Sequence, residues 1–299
     1  MVVERGAGRE IGVYTASYDG KIYHRDIGRD NEVEEISRGD QKDSSSQINC
    51  MAIIAGSQSG EKQQSGGLAL GAQDDSVYIV RGDKISKIHM EAPAVRLACK
   101  GPDTLVGMLT NGTVVDIDVR TETVKVSEGT EGAEATSVAA TVRSTDAMVA
   151  VAVGYRNGTV RIIKDGAVVE LQAVHTREVT QVAFSRCGKL IASGDAAGRI
   201  NVSDAQTGAP VVAGRWSSHT AAIRALAWAS DGQTLVSGAL DSHVYVWRVD
   251  RAFGAVASEL QMHPGGVVGI ECIDDRIDGD EKMMIVSAGS DSIVTKSFI

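Results

Sequence analysis

The 299-residue chain sets 30 Lys and Arg against 39 Asp and Glu, a formal charge of −9. That sign argues against nucleic acid or an anionic membrane as the main partner, since both are held by a basic face. Apolar residues at 43% with 23% charged exclude a disordered chain and suffice to bury about three quarters of the unfolded surface in one or two domains.

The N-terminal "MVVERGAGRE" is too charged for a signal peptide, and no apolar run approaches the ~18 residues of a membrane span. A cytoplasmic, soluble, monomeric protein is expected. From there one plan recurs: an apolar run, a turn centred on Asp or Asn, then an alternating run. In chain order it reads "VYTASYDGKIYHRD", "LALGAQDDSVYIV", "LVGMLTNGTVVDID", "VAVGYRNGTVRII", "IASGDAAGRINVSD", "LVSGALDSHVYVW" and "IVSAGSDSIVTKSF". The turns fall at Asp19, Asp74, Asn111, Asn157, Ala197, Asp241 and Asp291, 37 to 55 residues apart. Asp-Gly and Asn-Gly tolerate positive φ, so two-residue turns are predicted at Asp19, Asn111 and Asn157.

Most hairpins follow another strand-like run: 48–54, 94–100, 136–142, 179–185, 223–229 and 267–273. A weaker run trails several of them, at 166–171, 210–214 and 255–260. No helical period persists. Seven four-stranded antiparallel units predict an all-β, seven-bladed β-propeller over residues 1–299, taken as one domain. Only "MVVERGAGRE" precedes the first hairpin, so the first blade is expected to lack its innermost strand. "MVVER" is expected as an outer strand of the last blade, leaving closure one strand short.

His219, Ser237, Asp241 and Trp247 stand at the positions of the structural tetrad of WD-repeat blades, and the segment resembles that family. The resemblance implies that His and Asp meet beside the turn while Ser bridges to the indole N–H, a lock in which each buried polar atom has a partner. His175, His219 and His263 recur every 44 residues; His175 lies 22 before Ala197 and His263 lies 28 before Asp291. The fifth blade therefore reads as having lost its acid. The order of the blades resembles the C-terminal propeller of the actin-interacting protein 1 family, which has two propellers. That resemblance implies actin filaments and cofilin (actin-depolymerising factor) as partners, a place in the actin cytoskeleton, and filament disassembly driven by contact energy alone. The alternative is a general WD-repeat scaffold for another complex.

His219, Ser237 and Asp241 also have the residue types of a hydrolase triad, but Ser237 lies mid-strand with no G-x-S-x-G around it. No reaction, cofactor or metal is expected: the six histidines show no ligand spacing. The four cysteines, Cys50, Cys99, Cys187 and Cys272, are far apart beside apolar runs and read as reduced core thiols. Two "RGD" triplets, three glycosylation sequons and "GAGREIG" read as chance matches in turns and loops. The Gly/Ser-rich stretch 56–67 and the acidic stretch 274–281 read as solvated insertions. Candidate partner contacts are rim residues: Tyr18, Tyr155, Arg156, Leu240 and His243 at hairpin turns, with Arg177 at the approach to a blade.

Overall fold

The computed structural model describes residues 2–5, 11–16, 20–26, 33–36, 46–54, 66–82, 84–101, 103–127, 134–142, 149–164, 166–172, 175–251, 257–259, 262–275 and 282–298. The chain is all-β. Among the described residues its strands form seven antiparallel sheets in chain order, six of four strands and one of three, the blades of a seven-bladed β-propeller. Two compact units divide them: Met1–Ser127 holds blades 1–3, and Glu128–Ile299 holds blades 4–7.

In the first unit the innermost strands are Val2–Arg5, Ile48–Ile54 and Ala94–Gly101. In the second they are Ala135–Val142, Val179–Phe184, Ile223–Trp228 and Val267–Asp275. Within each unit, consecutive innermost strands lie side by side. Val2–Arg5 corrects one expectation: it pairs with Ile11–Ala16 as the innermost strand of blade 1. The three-stranded sheet is blade 7, whose strands are Val267–Asp275, Lys282–Gly289 and Val294–Phe298.

The apolar alternation puts side chains on both faces of each sheet, and these meet between blades. Ile54, Ile79, Leu97, Leu105 and Ile117 fill the space between blades 2 and 3. Val202, Trp216, Ile223, Trp228 and Trp247 fill that between blades 5 and 6, where the two buried indoles of Trp216 and Trp247 stack 5.2 Å apart. Full burial of each aliphatic side chain contributes about 1.5–3 kcal/mol, so such seams between blades are a main source of folding energy. Glycine permits the approach: a Cβ on Gly194 or Gly238 would lie within 2.6 Å of Ile223 or Val267 in the next blade. Directed bonds repeat from blade to blade. Val182 N–H donates to Ser137 Oγ (3.0 Å) and Trp228 Nε1–H to the Ala183 carbonyl (3.0 Å).

The hairpin turns also differ from the two-residue form. Gly112 N–H donates to the Leu109 carbonyl, while Leu109 N–H donates to the Thr113 carbonyl. That makes a three-residue loop with a left-handed fourth position, a type I turn plus bulge. Only the glycine takes positive φ (Gly112 78°, Gly158 88°). Asn111 and Asn157 instead use their side-chain oxygens to accept N–H bonds from Thr113 (3.0 Å) and Thr159 (3.1 Å). The asparagine holds the turn through its amide, leaving the backbone demand to its neighbour.

Candidate interaction surface

Three consecutive blades carry a buried histidine just before their innermost strand. In blade 6, His219 Nδ1 lies 3.0 Å from Asp241 Oδ2 and Nε2 lies 2.8 Å from Ser237 Oγ. Trp247 Nε1–H donates to the same Ser237 Oγ at 2.7 Å. An indole only donates, so Ser237 accepts from Trp247 and is free to donate its own proton to Nε2. His219 is then neutral, with its proton on Nδ1 and directed at the carboxylate. Burial pushes the His219 pKa down and outweighs the pull of Asp241. Burial alone would raise Asp241, but the N–H groups of Thr220 and His243, with His219, hold it below the ordinary carboxylate value.

These distances match those of a Ser–His–Asp hydrolase, yet Ser237 is fully buried and its lone pair is engaged by Trp247. The hydroxyl has no path to a substrate, so the set acts as a clamp across strands.

Blade 5 holds a network that the spacing missed. His175 Nδ1 lies 3.1 Å from Asp195 Oδ2, and Nε2 lies 2.8 Å from Ser193 Oγ. The acid has moved from the turn to the last residue of the strand Leu190–Asp195. Ser193 and Asp195, two apart, share one face of that strand and both reach the imidazole. Asp195 Oδ1 also accepts the N–H groups of Ala197 and Arg199, each at 2.9 Å, which fixes the turn where Ala197 has no side-chain acceptor. The expected loss of the acid is thus corrected. A shared Ser before a small residue, in "ASGD", "VSGA" and "VSAG", was the available signal for Ser193 and Ser287. In blade 7, His263 reaches Asp291 at 3.2 Å and Ser287 at 2.9 Å.

The other turn residues act locally. Asp74 accepts from Tyr78 Oη–H (2.6 Å) and Lys87 Nζ (3.0 Å). Burial would raise its pKa, but these donors hold it below the ordinary value. Asp291 accepts the N–H of Ile293 at 3.0 Å. Asp19 and Tyr18 lie outside the described residues, as do most of the stretches 56–67 and 274–281.

Of the proposed contacts, Tyr155 needs correction: it is fully buried, its ring under the guanidinium of Arg161, and offers no surface to a partner. As the last residue of Val149–Tyr155 it points into the blade, not outward with the turn. Arg156 is exposed but ion-paired with Glu134 and, at 3.8 Å, Glu178. Arg177 is exposed. His243 is half-buried, its Nδ1 donating to the Asp241 carbonyl at 2.6 Å and its ring stacked on Tyr245. Leu240 is 45% exposed.

Among the described residues no cluster of His, Cys, Asp and Glu could hold a metal ion. The cysteines are free thiols. Burial pushes Cys50 up to about 12. Cys187 departs from the core-thiol expectation: it is exposed on the turn between the first two strands of blade 5. No helix among the described residues is long and apolar enough to cross a membrane.

Comparison with known proteins agrees with this geometry. The family model described as the DDB1- and CUL4-associated factor 12 beta propeller matches residues 124–264. Over 99% of this chain and 95% of its own, the crystal structure of the computationally designed Ika8 protein superposes with a TM-score of 0.67 at 19% identity, a likeness of fold. The blades, their histidine networks and these matches define the chain as a seven-bladed β-propeller similar to those of WD-repeat proteins, a fold that serves as a platform for protein interaction.

Within that class the chain is similar to actin-interacting protein 1 of Caenorhabditis elegans, at 31% identity over 48% of this chain and 23% of that protein. It is also similar to the 66 kDa stress protein of Physarum polycephalum (35%, over 47% of this chain and 23% of that protein). An uncharacterized WD repeat-containing protein of Schizosaccharomyces pombe matches at 28% over 40% of this chain and 18% of its own length. The matched part of this chain thus spans less than a quarter of each of these relatives.

Proposed function

We propose that this chain is a non-enzymatic interaction platform that acts with cofilin to disassemble actin filaments. The observation that carries this reading is the similarity to actin-interacting protein 1, 31% identical over 146 residues. The architecture suits the role. Histidine clamps and packed seams make blades 5–7 a rigid frame, and the hairpin turns project from it as a contact surface. Binding energy alone would act, favouring the severed state of a cofilin-decorated filament. The structural tetrad His219, Ser237, Asp241 and Trp247 would support that surface from beneath without touching the partner.

Co-sedimentation of the chain with actin filaments, with and without cofilin, tests the reading. Cofilin-dependent pelleting together with shortened filaments is the expected result. A folded chain that stays in the supernatant under both conditions contradicts it. A second reading, a scaffold for another assembly, is favoured by the match of residues 124–264 to the propeller of a DDB1- and CUL4-associated factor.

A further inference from the structure

Each innermost strand of the second unit has a register shift at its start, which leaves one residue unpaired: Thr136, Thr180, Arg224 and Val268 in blades 4 to 7. Such bulges turn a side chain away from the ladder. In blades 4 and 5 the threonine hydroxyls are taken up by carbonyls: Thr136 lies 2.5 Å from that of Val179 in the next blade and 3.1 Å from that of Gly154, and Thr180 donates to Gly194 (3.2 Å). In blades 6 and 7 the same position is exposed, with Val268 at 44%. Arg224 makes no hydrogen bond or ion pair among the described residues.

The hairpin turns show a parallel change. The first turn residue is Arg156, Ala196, Leu240 and Ser290 in blades 4 to 7, each donating its N–H to the residue just before its own innermost strand. Only blade 6 places a large apolar side chain there. Leu240 lies over Gly266, where an added Cβ would sit 3.0 Å from Leu240 Cδ2, two residues before Val268. Leu240 N–H donates to the Ala222 carbonyl, two residues before Arg224. An exposed apolar pair and a cation unpaired among the described residues thus share the turn face of blades 6 and 7.

The geometry points to this patch as the docking site for a partner protein's segment that carries a bulky apolar side chain and, beside it, a carboxylate. The apolar side chain seats on Leu240 and Val268, and the carboxylate pairs with Arg224. Charge complementarity selects this occupant: the Arg224 guanidinium, which has no acid among the described residues, gains a charge-assisted pair from a carboxylate placed beside it. The proposal rests on the chain being an interaction platform and not on actin being the partner.

The test pans the whole chain against a displayed library of random peptides and measures the enriched peptides by fluorescence anisotropy. The expected peptides share a bulky apolar residue with Asp or Glu a few positions away. Binding should fall about tenfold or more in Leu240→Asp and in Arg224→Glu. Exchanging the peptide acid for Lys should restore binding to Arg224→Glu, and Val211→Asp on the outer strand of blade 5 should bind as the parent does. Circular dichroism checks that each variant is folded. No enrichment, no shared pattern, or patch variants that bind undiminished would overturn the proposal. Actin–cofilin pelleting run in parallel separates the two readings: peptide binding without pelleting removes actin and leaves the patch, whereas pelleting without peptide binding does the reverse.

Discussion

Blades 5 and 6 are neighbours that clamp a buried histidine with different residues. In blade 6 the acid is Asp241 in the turn, and Trp247 ties the serine to the third strand. In blade 5 the acid is Asp195 on the second strand, Ser203 stands in the place of Trp247, and Asn201 Nδ2 approaches His175 Nε2 at 3.4 Å. Trp247 makes its bond to Ser237, whereas the Ser203 hydroxyl is buried with no partner among the described residues. What both blades keep is the imidazole between a hydroxyl and a carboxylate that also accepts turn N–H groups. The clamp therefore needs a carboxylate within reach of Nδ1 and of the turn, and tolerates its arrival from either element.

The strongest way to break this equivalence is Asp195→Ala. The side chain is fully buried and serves one imidazole and two backbone N–H groups, so the loss should be about 3–5 kcal/mol in urea unfolding. Asp241→Ala should cost the same order, and a neutral Asp195→Ala would show that blade 5 has no working clamp. Next in size is Gly198→Ala. At φ 84° an added Cβ would meet the His219 carbonyl oxygen at 2.5 Å, so the turn of blade 5 would be driven off the next blade. Thermal unfolding should register about 2–3 kcal/mol.

Acid sharpens the comparison further. The folded chain holds a proton on His219 less tightly than the unfolded chain, so stability is full well above the ordinary histidine value of 6.5 and falls as pH drops through that value toward the depressed folded one. Asp195 and Asp241, both held below the ordinary 3.8, add a further loss as pH falls through the carboxylate range. Unfolding free energy measured at about pH 7.5 and about pH 5.5 should decline, and His219→Gln should flatten that decline. The smallest effect is a gain. Ser242 occupies at φ 70° the position that Gly198 fills in blade 5, so Ser242→Gly should stabilise by about 0.5–1 kcal/mol in the same assay.

Much of this was legible from sequence because propeller blades are written in local patterns. The alternation of "INCMAII" marks an innermost strand whose bounds, Ile48–Ile54, the structure reproduces. Turn residues and histidines sit at repeating phases that a single chain reveals. What spacing could not show was which nearby carboxylate reaches an imidazole. Asp195 lies 20 residues from His175, where the pattern asked for 22, and only the shared strand face of Ser193 and Asp195 brings it in. Side-chain direction at a strand end was equally hidden: Tyr155 and Arg156 are adjacent, yet one is buried and the other exposed. Turn type escaped because Asn-Gly suits two loop lengths, and the choice depends on whether Asn uses its amide or its φ.

The most direct test of the clamp account is a double-mutant cycle on His175 and Asp195. Folding free energies of the parent, His175→Ala, Asp195→Ala and the double variant give the coupling between them. The account expects a coupling of about 1.5 kcal/mol or more, comparable with the same cycle on His219 and Asp241. A coupling within about 0.3 kcal/mol of zero, with a full coupling retained in blade 6, would contradict it.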